Sequence, residues 1–250
     1  MLHKTMTVLE LFSPVRREIG VIEAATMLKR PKSTVSRWLS AIADAGLLER
    51  DAVTGRYRLS MRLAVLGEIA RESTGIQRLA HPCLEHLAST TGETCSMAVL
   101  VGNEGMNVDA VLSPKPIIHV GWVGRRFPLH ASAAGKTLLA WRDEAGVKNL
   151  LPRRLPKLAS RTITGMADFF RELERVRDQG YSTAWCELEE ELAAVAAPVR
   201  DHTGAVIGAL SISAPVSRVP LKALPALARA PTEAAAILSA QLGFHGAPGA

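Results

Sequence analysis

The first sixty residues repeat apolar positions at helical spacing three times and then change period. Met6, Val8, Leu9 and Phe12 predict a helix over 5–12, stopped by Pro14. Ile22, Ala25 and Leu28 share one face of a second helix over 21–28. After the break at Lys29-Arg30-Pro31, Val35, Trp38, Leu39 and Ile42 form the buried stripe of a third, with Gly46 as its cap. Residues 47–50 and 56–59 then read as a two-stranded hairpin around a polar turn, 51–55, that contains Gly55.

Beyond the hairpin, Leu63, Leu66, Ile69 and Ala70 mark a helix over 60–73, and a further helix is expected over 76–89. Strands are expected over 95–101, 106–112, 117–122, 193–199 and 206–213. Helices are expected over 131–141, over 165–179 between Thr164 and Gly180 as caps, and over 221–242. The strands do not alternate regularly with helices, so the class is α+β rather than a doubly wound sheet. The organisation expected is a first domain over 1–60, a linker helix over 61–75, a second domain over 76–243 and a disordered tail over 244–250.

Charge sharpens this division. Residues 1–62 hold eleven Lys and Arg against six Asp and Glu, a net +5, whereas residues 63–250 carry +1. A basic end on a near-neutral remainder points to a polyanion at that end. Hydrophobic residues make up 48% and charged residues 22%, which excludes an intrinsically disordered chain. No apolar stretch reaches the ~20 residues a membrane-spanning helix needs, and residues 1–14 lack the pattern of a signal peptide. Cys83, Cys95 and Cys186 form no CxxC, which argues against a disulfide framework or structural zinc. A cytoplasmic protein without cofactor or metal is expected.

Helix, tight turn, helix and basic hairpin make a winged helix-turn-helix, whose second helix fits the major groove. With 35, 38, 39 and 42 buried, Ser33, Thr34, Ser36, Arg37 and Ser40 face outward. Arg37 is the residue able to grip guanine bidentately or to hold a phosphate. Arg30 and Lys32 are placed for backbone contacts, and Arg50, Arg56 and Arg58 surround the wing turn. The alternative is a small bundle with a solvated basic face. The polar face, the basic hairpin and the confined charge coincide, and together they favour DNA.

These segments, Arg30-Pro31-Lys32-Ser33-Thr34-Val35-Ser36-Arg37-Trp38-Leu39, then Ala45-Gly46-Leu47-Leu48-Glu49-Arg50 and Gly55-Arg56-Tyr57-Arg58-Leu59, resemble the DNA-binding half of the IclR family of transcriptional regulators. The resemblance continues through Thr91-Gly92-Glu93-Thr94, Pro128-Leu129-His130-Ala131-Ser132-Ala133-Ala134-Gly135-Lys136, Ala196-Ala197-Pro198-Val199-Arg200-Asp201 and Ser211-Ile212-Ser213. It implies a GAF-like C-terminal domain that binds a small effector, often an organic or aromatic acid. It also implies homodimers or homotetramers on palindromic double-stranded DNA operators.

Carried over residue by residue, the family's effector pocket falls on His119 at the rim, Phe127, Ala133, Ala134, Ala184, Ala194, Ser211 and Ser213. Ala184 and Ala194 stand where the family often has Asp and Cys, and Glu191 where it often has Gly. The expected pocket is therefore less polar and wider, suited to an apolar body with one carboxylate or amide head. A helix opening within 130–135 would offer free N–H groups to that head. Ser211 and Ser213 share one side of a strand.

Other motifs have plainer readings. The run from His130 to Thr137 approaches a phosphate-binding loop but lacks its first glycine and the preceding parallel strand, so Lys136 reads as structural or charge-paired. His130 and Ser132 lack a nucleophile elbow. His81 and His86 lack the spacing of a helical metal pair. The acidic run Glu187, Glu189, Glu190, Glu191 reads as a solvated loop, with cation binding as its alternative. Trp122, Trp141 and Trp185 read as core or interface aromatics. The competing functional class is a metabolic enzyme with an accessory DNA-binding domain. It needs a nucleophile–base–orienter set, and none is visible in the C-terminal part.

Overall fold

The computed structural model describes residues 2–13, 16–73, 75–115, 122–244 and 246. The chain divides into two units, Met1–Thr74 and Gly75–Ala250.

In the first unit, α1 (Leu2–Leu9), β1 (Glu18–Ile19), α2 (Val21–Leu28), α3 (Lys32–Asp44), β2 (Leu48–Arg50), β3 (Tyr57–Leu59) and α4 (Met61–Ser73) follow in order. Val8, Ile19, Ala24, Val35, Leu39, Ile42, Leu48 and Tyr57 form its core. Truncating a side chain as enclosed as Leu39 to alanine costs about 2–5 kcal/mol. The α3 stripe is as expected except at Trp38, which is only partly buried and has Lys4 over its ring. Gly46 ends α3 with φ +74, donating its N–H to Ala43, while Leu47 donates to Ile42. That paired geometry needs a left-handed residue, which glycine supplies without a Cβ clash.

Two expectations change here. The first helix spans Leu2–Leu9 rather than 5–12, because the bonds of Leu11 and Phe12 reach back only three residues. Arg16 also ties the chain there, donating to the Leu11 carbonyl at 3.0 Å. The hairpin becomes a three-stranded sheet ordered β1-β3-β2, with Glu18 opposite Arg58 and Ile19 opposite Tyr57. A two-residue strand is too short to show a period.

The second unit holds α5 (Gly75–Thr91), β4 (Thr94–Val101), β5 (Glu104–Val111), β6 (Arg126–Pro128), α6 (Ala133–Ala140), α7 (Glu144–Leu150), α8 (Met166–Gln179), β7 (Ser182–Trp185), β8 (Leu192–Arg200), β9 (Val206–Pro215), a short 3₁₀ turn (Leu221–Ala223), α9 (Leu224–Leu227) and α10 (Arg229–Gln241). Its sheet is antiparallel, ordered β6-β5-β4-β9-β8-β7. Successive side chains of a strand point to opposite faces. Ala193, Val195, Ala197 and Val199 of β8 therefore pack with α5 and α10. Ala194 and Ala196 pack with α6 and α8. Both faces are covered, so β8 reads as an unbroken apolar run.

The expectations missed β6, α7 and β7. The helix expected over 221–242 is broken at Ala228. Pro225 and Pro231 each sit in the first turn of a shorter helix, where a missing N–H costs nothing. Gly165, not Thr164, precedes α8 as its N-cap residue. The strand expected over 117–122 lies, apart from Trp122, outside the described residues. So does most of the tail expected over 244–250, but Phe244 is anchored, its N–H donating to the Ser239 carbonyl at 2.9 Å.

Candidate functional site

The tight turn between α2 and α3 is made by Lys29, which adopts φ +51, and by Pro31, which precedes the first turn of α3. No side chain caps that helix, so its first N–H groups are free to meet an anion. Ser33, Arg37 and Ser40, at i, i+4 and i+7, stand exposed on one face with Lys32, and Thr34 and Ser36 are half-buried beside them. The side chains of Arg30, Lys32 and Arg37 make no ion pair or hydrogen bond among the described residues, so their charge is available.

The wing differs from expectation. Arg56 donates to the Glu23 carboxylate at 2.9 Å and to the Glu18 carbonyl at 3.1 Å. Arg58 pairs with Glu49, its cross-strand partner, at 3.0 Å. Of these three, Arg50 alone pairs with no carboxylate among the described residues, its guanidinium lying 5.8 Å from the Tyr57 ring centroid. For Arg56 the cause is the third strand, which brings Glu18 beside β3, and for Arg58 it is the hairpin register, which sets Glu49 opposite it. The wing tip is rigid, because Asp51 accepts from Val53 and Thr54. Those bonds, the Thr54 backbone bond first, hold its carboxyl below the usual value.

In the second unit, Phe127, Ala133, Ala134, Ala184, Ala194, Ser211 and Ser213 line one cavity between the sheet and α6. His119 lies outside the described residues. The register explains the convergence. Ala184 faces Ala194 across β7–β8, Ala194 faces Ser213 across β8–β9, and Ser211 faces Ser96 across β9–β4. Ser132, Asn107, Arg125, Leu188 and Leu192 complete the wall. Sequence reasoning assigned none of these, nor Ser96, to the pocket.

The cavity measures about 50 Å³, room for about three to five water molecules. Phe127, Leu188 and Leu192 line it beside the two alanines. Phe127 lies against Gly105, where a Cβ would stand 2.1 Å from the ring. Ser96 and Ser211 bond each other at 2.9 Å. Ser132 caps α6, accepting from Gly135 at 3.1 Å and donating to Pro128 at 2.9 Å. The helix therefore opens at Ala133, and the N-terminus expected within 130–135 already has its own cap. Asn107 is different. The residue is 5% exposed and lines the cavity, and its amide bonds no other group among the described residues but keeps accessible surface toward the cavity. It offers both an N–H donor and a carbonyl acceptor to whatever enters.

The acidic run is solvated at Glu189, Glu190 and Glu191, as expected, but it also straps the cavity: Glu187 is half-buried. Glu187 accepts from the fully buried Lys136 at 2.8 Å, Glu189 pairs with Arg125, and Glu190 accepts from the backbone and hydroxyl of Ser160. Leu188, between them, faces the cavity. Glu172 also accepts from Lys136 at 3.0 Å and pairs with Arg175. Burial pushes the Glu187 carboxyl up. Burial raises Glu172 too, but its bonds to Arg175 and Lys136 outweigh that and hold it low. His130 is enclosed and bonds the Pro156 carbonyl through Nε2 at 3.0 Å. Burial, opposed by that bond and aided by Lys136, lowers its pKa. Ser132 and His130 are therefore spent on structure. Among the described residues no His, Cys, Asp and Glu cluster is suited to a metal.

Comparison with known proteins follows the same division. Residues 1–52 match the family described as IclR helix-turn-helix domain, and residues 69–240 match that described as Bacterial transcriptional regulator IclR C-terminal. The transcriptional regulator KdgR of Escherichia coli is 34% identical over 93% of this chain and 89% of its own. XynR of the same organism is 30% identical over 97% and 96%. An IclR homolog from Microbacterium hydrocarbonoxydans, solved in complex with 4-hydroxybenzoate, superposes with a TM-score of 0.81 at 27% identity, covering 96% of this chain and 98% of that one.

Proposed function

The chain belongs to the IclR family of bacterial transcriptional regulators, with a DNA-binding helix-turn-helix and an effector-binding C-terminal part, and from that premise we propose which residues do each task and what the effector is. α3 reads base edges with Ser33, Ser36, Arg37 and Ser40. Arg30, Lys32 and the N-terminal N–H groups of α3 hold phosphates, with Thr34 beside them. Arg50 supplies the wing's contact, and Arg56 and Arg58 shape the wing.

The effector is a small organic acid held between α6 and the sheet. The observation that carries this is Asn107, an enclosed amide with no partner. Its amide keeps accessible surface only where the cavity opens, so a ligand carboxylate or carbonyl that enters finds a donor and an acceptor already facing it. The Microbacterium homolog's 4-hydroxybenzoate supports an acid head on a compact ring. An aromatic acid exceeds the closed cavity, so its entry displaces Leu188 and the strap. Arg125 then gains a second anion to choose from.

Met61, Val65 and Ile69 repeat every four residues on an exposed face of α4. A second copy covering that stripe gives a homodimer, the symmetry a palindromic operator requires. Effector binding shifts the population of two dimer arrangements, and α4 relays the shift to the spacing of the reading helices. Among the described residues no helix is long and apolar enough to cross a membrane, which fits work on DNA in the cytoplasm.

The test is calorimetric titration of wild type and Asn107→Ala with acetate, glyoxylate, benzoate and 4-hydroxybenzoate, followed by gel shifts on the protein's upstream DNA. An aromatic acid should bind, weaken about tenfold or more in the variant, and alter the shift. A response confined to glyoxylate would remove the aromatic reading. Turnover of any acid would favour the enzyme alternative.

A further inference from the structure

A second enclosed place in the C-terminal unit has a charge and no counter-charge. Arg200 closes β8 and is 8% exposed. Its guanidinium lies 4.4 Å from the Trp141 ring centroid and 5.7 Å from that of Phe244. Nη1 donates to the Gly204 carbonyl at 2.8 Å, and the backbone N–H donates to Ser239 at 2.9 Å. No carboxylate lies in salt-bridge reach among the described residues. A guanidinium has five N–H donors. Among the described residues no fully hidden side-chain donor lacks a partner, so the remaining donors open on the cleft that Arg200 lines.

That cleft measures about 320 Å³, against about 50 Å³ for the cavity described above. Its walls are Trp141, Pro198, Ala236, Ala240 and Phe244, with Asp178 exposed among the lining residues. The two sites stand at opposite ends of one helix: Ser132, the N-cap of α6, lines the cavity, and Trp141, its C-cap, lines the cleft.

A buried cation without a partner is costly, and aromatic faces offset that only partly. Burial alone, with nothing opposing it, lowers the Arg200 pKa. The free edge of a guanidinium matches a carboxylate, which accepts two parallel N–H bonds. Apolar and aromatic walls suit an apolar body. A single cation with Asp178 near it suits one negative charge rather than two.

We propose that the Arg200 cleft is a second ligand site, separate from the Asn107 cavity, that binds a small monocarboxylate with an aromatic or branched apolar body. The carboxylate lies on the free edge of Arg200, and the body lies between Trp141 and the Ala236–Ala240 face of α10. The site stands apart from the effector assignment, since it uses none of the cavity's lining residues.

The experiment follows 4-fluorobenzoate by fluorine NMR against the full chain, its variants Arg200→Gln, Ala240→Trp and Asn107→Ala, and thermal unfolding of each. Ala240 is exposed, so tryptophan there fills the cleft and leaves Arg200 in place. The expected result is a bound signal that survives Asn107→Ala and weakens at least ~10-fold in both Arg200→Gln and Ala240→Trp. The neutral 4-fluorobenzamide should fail to compete for it, and so should inorganic phosphate. If Arg200→Gln does not fold, Ala240→Trp decides. No bound signal, a signal lost entirely in Asn107→Ala, or one unchanged in a folded Ala240→Trp protein overturns the proposal. Failure of the Asn107 cavity to bind any acid leaves this signal in place, so the two readings fail separately.

Discussion

On α3, Ser33, Arg37 and Ser40 stand in solvent without partners, whereas in the C-terminal cavity Ser96 and Ser211 bond each other and Ser132 caps its own helix. The same residue types are left open in one region and satisfied in the other. An exposed polar group loses little by waiting for a partner, because water serves it. A buried one must be satisfied internally, and Asn107, whose amide has no partner among the described residues, keeps its contact with the cavity space. The α3 surface can therefore change residue by residue without unfolding. The cavity cannot, since its polar groups also hold the fold.

The largest test of that difference is Lys136→Met. It leaves Glu187 buried without its partner and should cost about 3–5 kcal/mol in urea unfolding. Adding Glu187→Leu should recover part of the loss. A loss below ~1 kcal/mol would mean the cavity's frame is as tolerant as the α3 surface.

Next is Arg37→Ala, which should cost about 1–3 kcal/mol in operator binding measured by fluorescence anisotropy, with the unfolding midpoint unchanged. The relaxed specificity should fall at a single base position of each half-site. A lowered midpoint would erase the contrast from the other side.

Acid should separate the regions again. His130 is held neutral in the fold, so its pKa lies below the ordinary 6.5. The folded state binds fewer protons, and the stability His130 contributes is present above 6.5 and is lost as pH falls through the lowered value. Unfolding of the C-terminal unit measured from pH 7.5 downward should show this. His130→Gln, which keeps an N–H for Pro156, should flatten it.

The smallest effect belongs to Arg56→Ala. Its charge is committed to Glu23 on a part-exposed surface, so stability should change by less than about 1 kcal/mol. The salt dependence of DNA binding should stay near wild type, whereas Lys32→Ala should lower the salt slope by about one.

Legibility in the sequence follows the same boundary. α2 and the α3 stripe are written in consecutive residues, and amphipathic spacing reveals them. β1, with two residues, carries no period, and its consequence, the pairing of Arg56, was invisible with it. The cavity is assembled from residues between 96 and 213, so its membership depends on strand register. At Asn107 the register also shifts. Asn107 pairs with Ala98 and lines the cavity, while Asp109 pairs with Met97 and bonds His81 of α5 at 2.9 Å. A strict alternation puts both on one face; the irregularity separates them. A polar residue at a buried strand position was the signal on offer. The family resemblance reached the alanines and serines but not this amide.

Gly105 stands on β5 behind Phe127 and does not line the cavity. Any larger residue there drives the aromatic ring forward, because the missing methyl group's space is already taken. The diameter of the chamber is thus adjustable from a position outside its lining. A lineage of such regulators can retune the size of molecule it senses by a substitution at this outside position, and a comparison limited to contact residues would record no change at all.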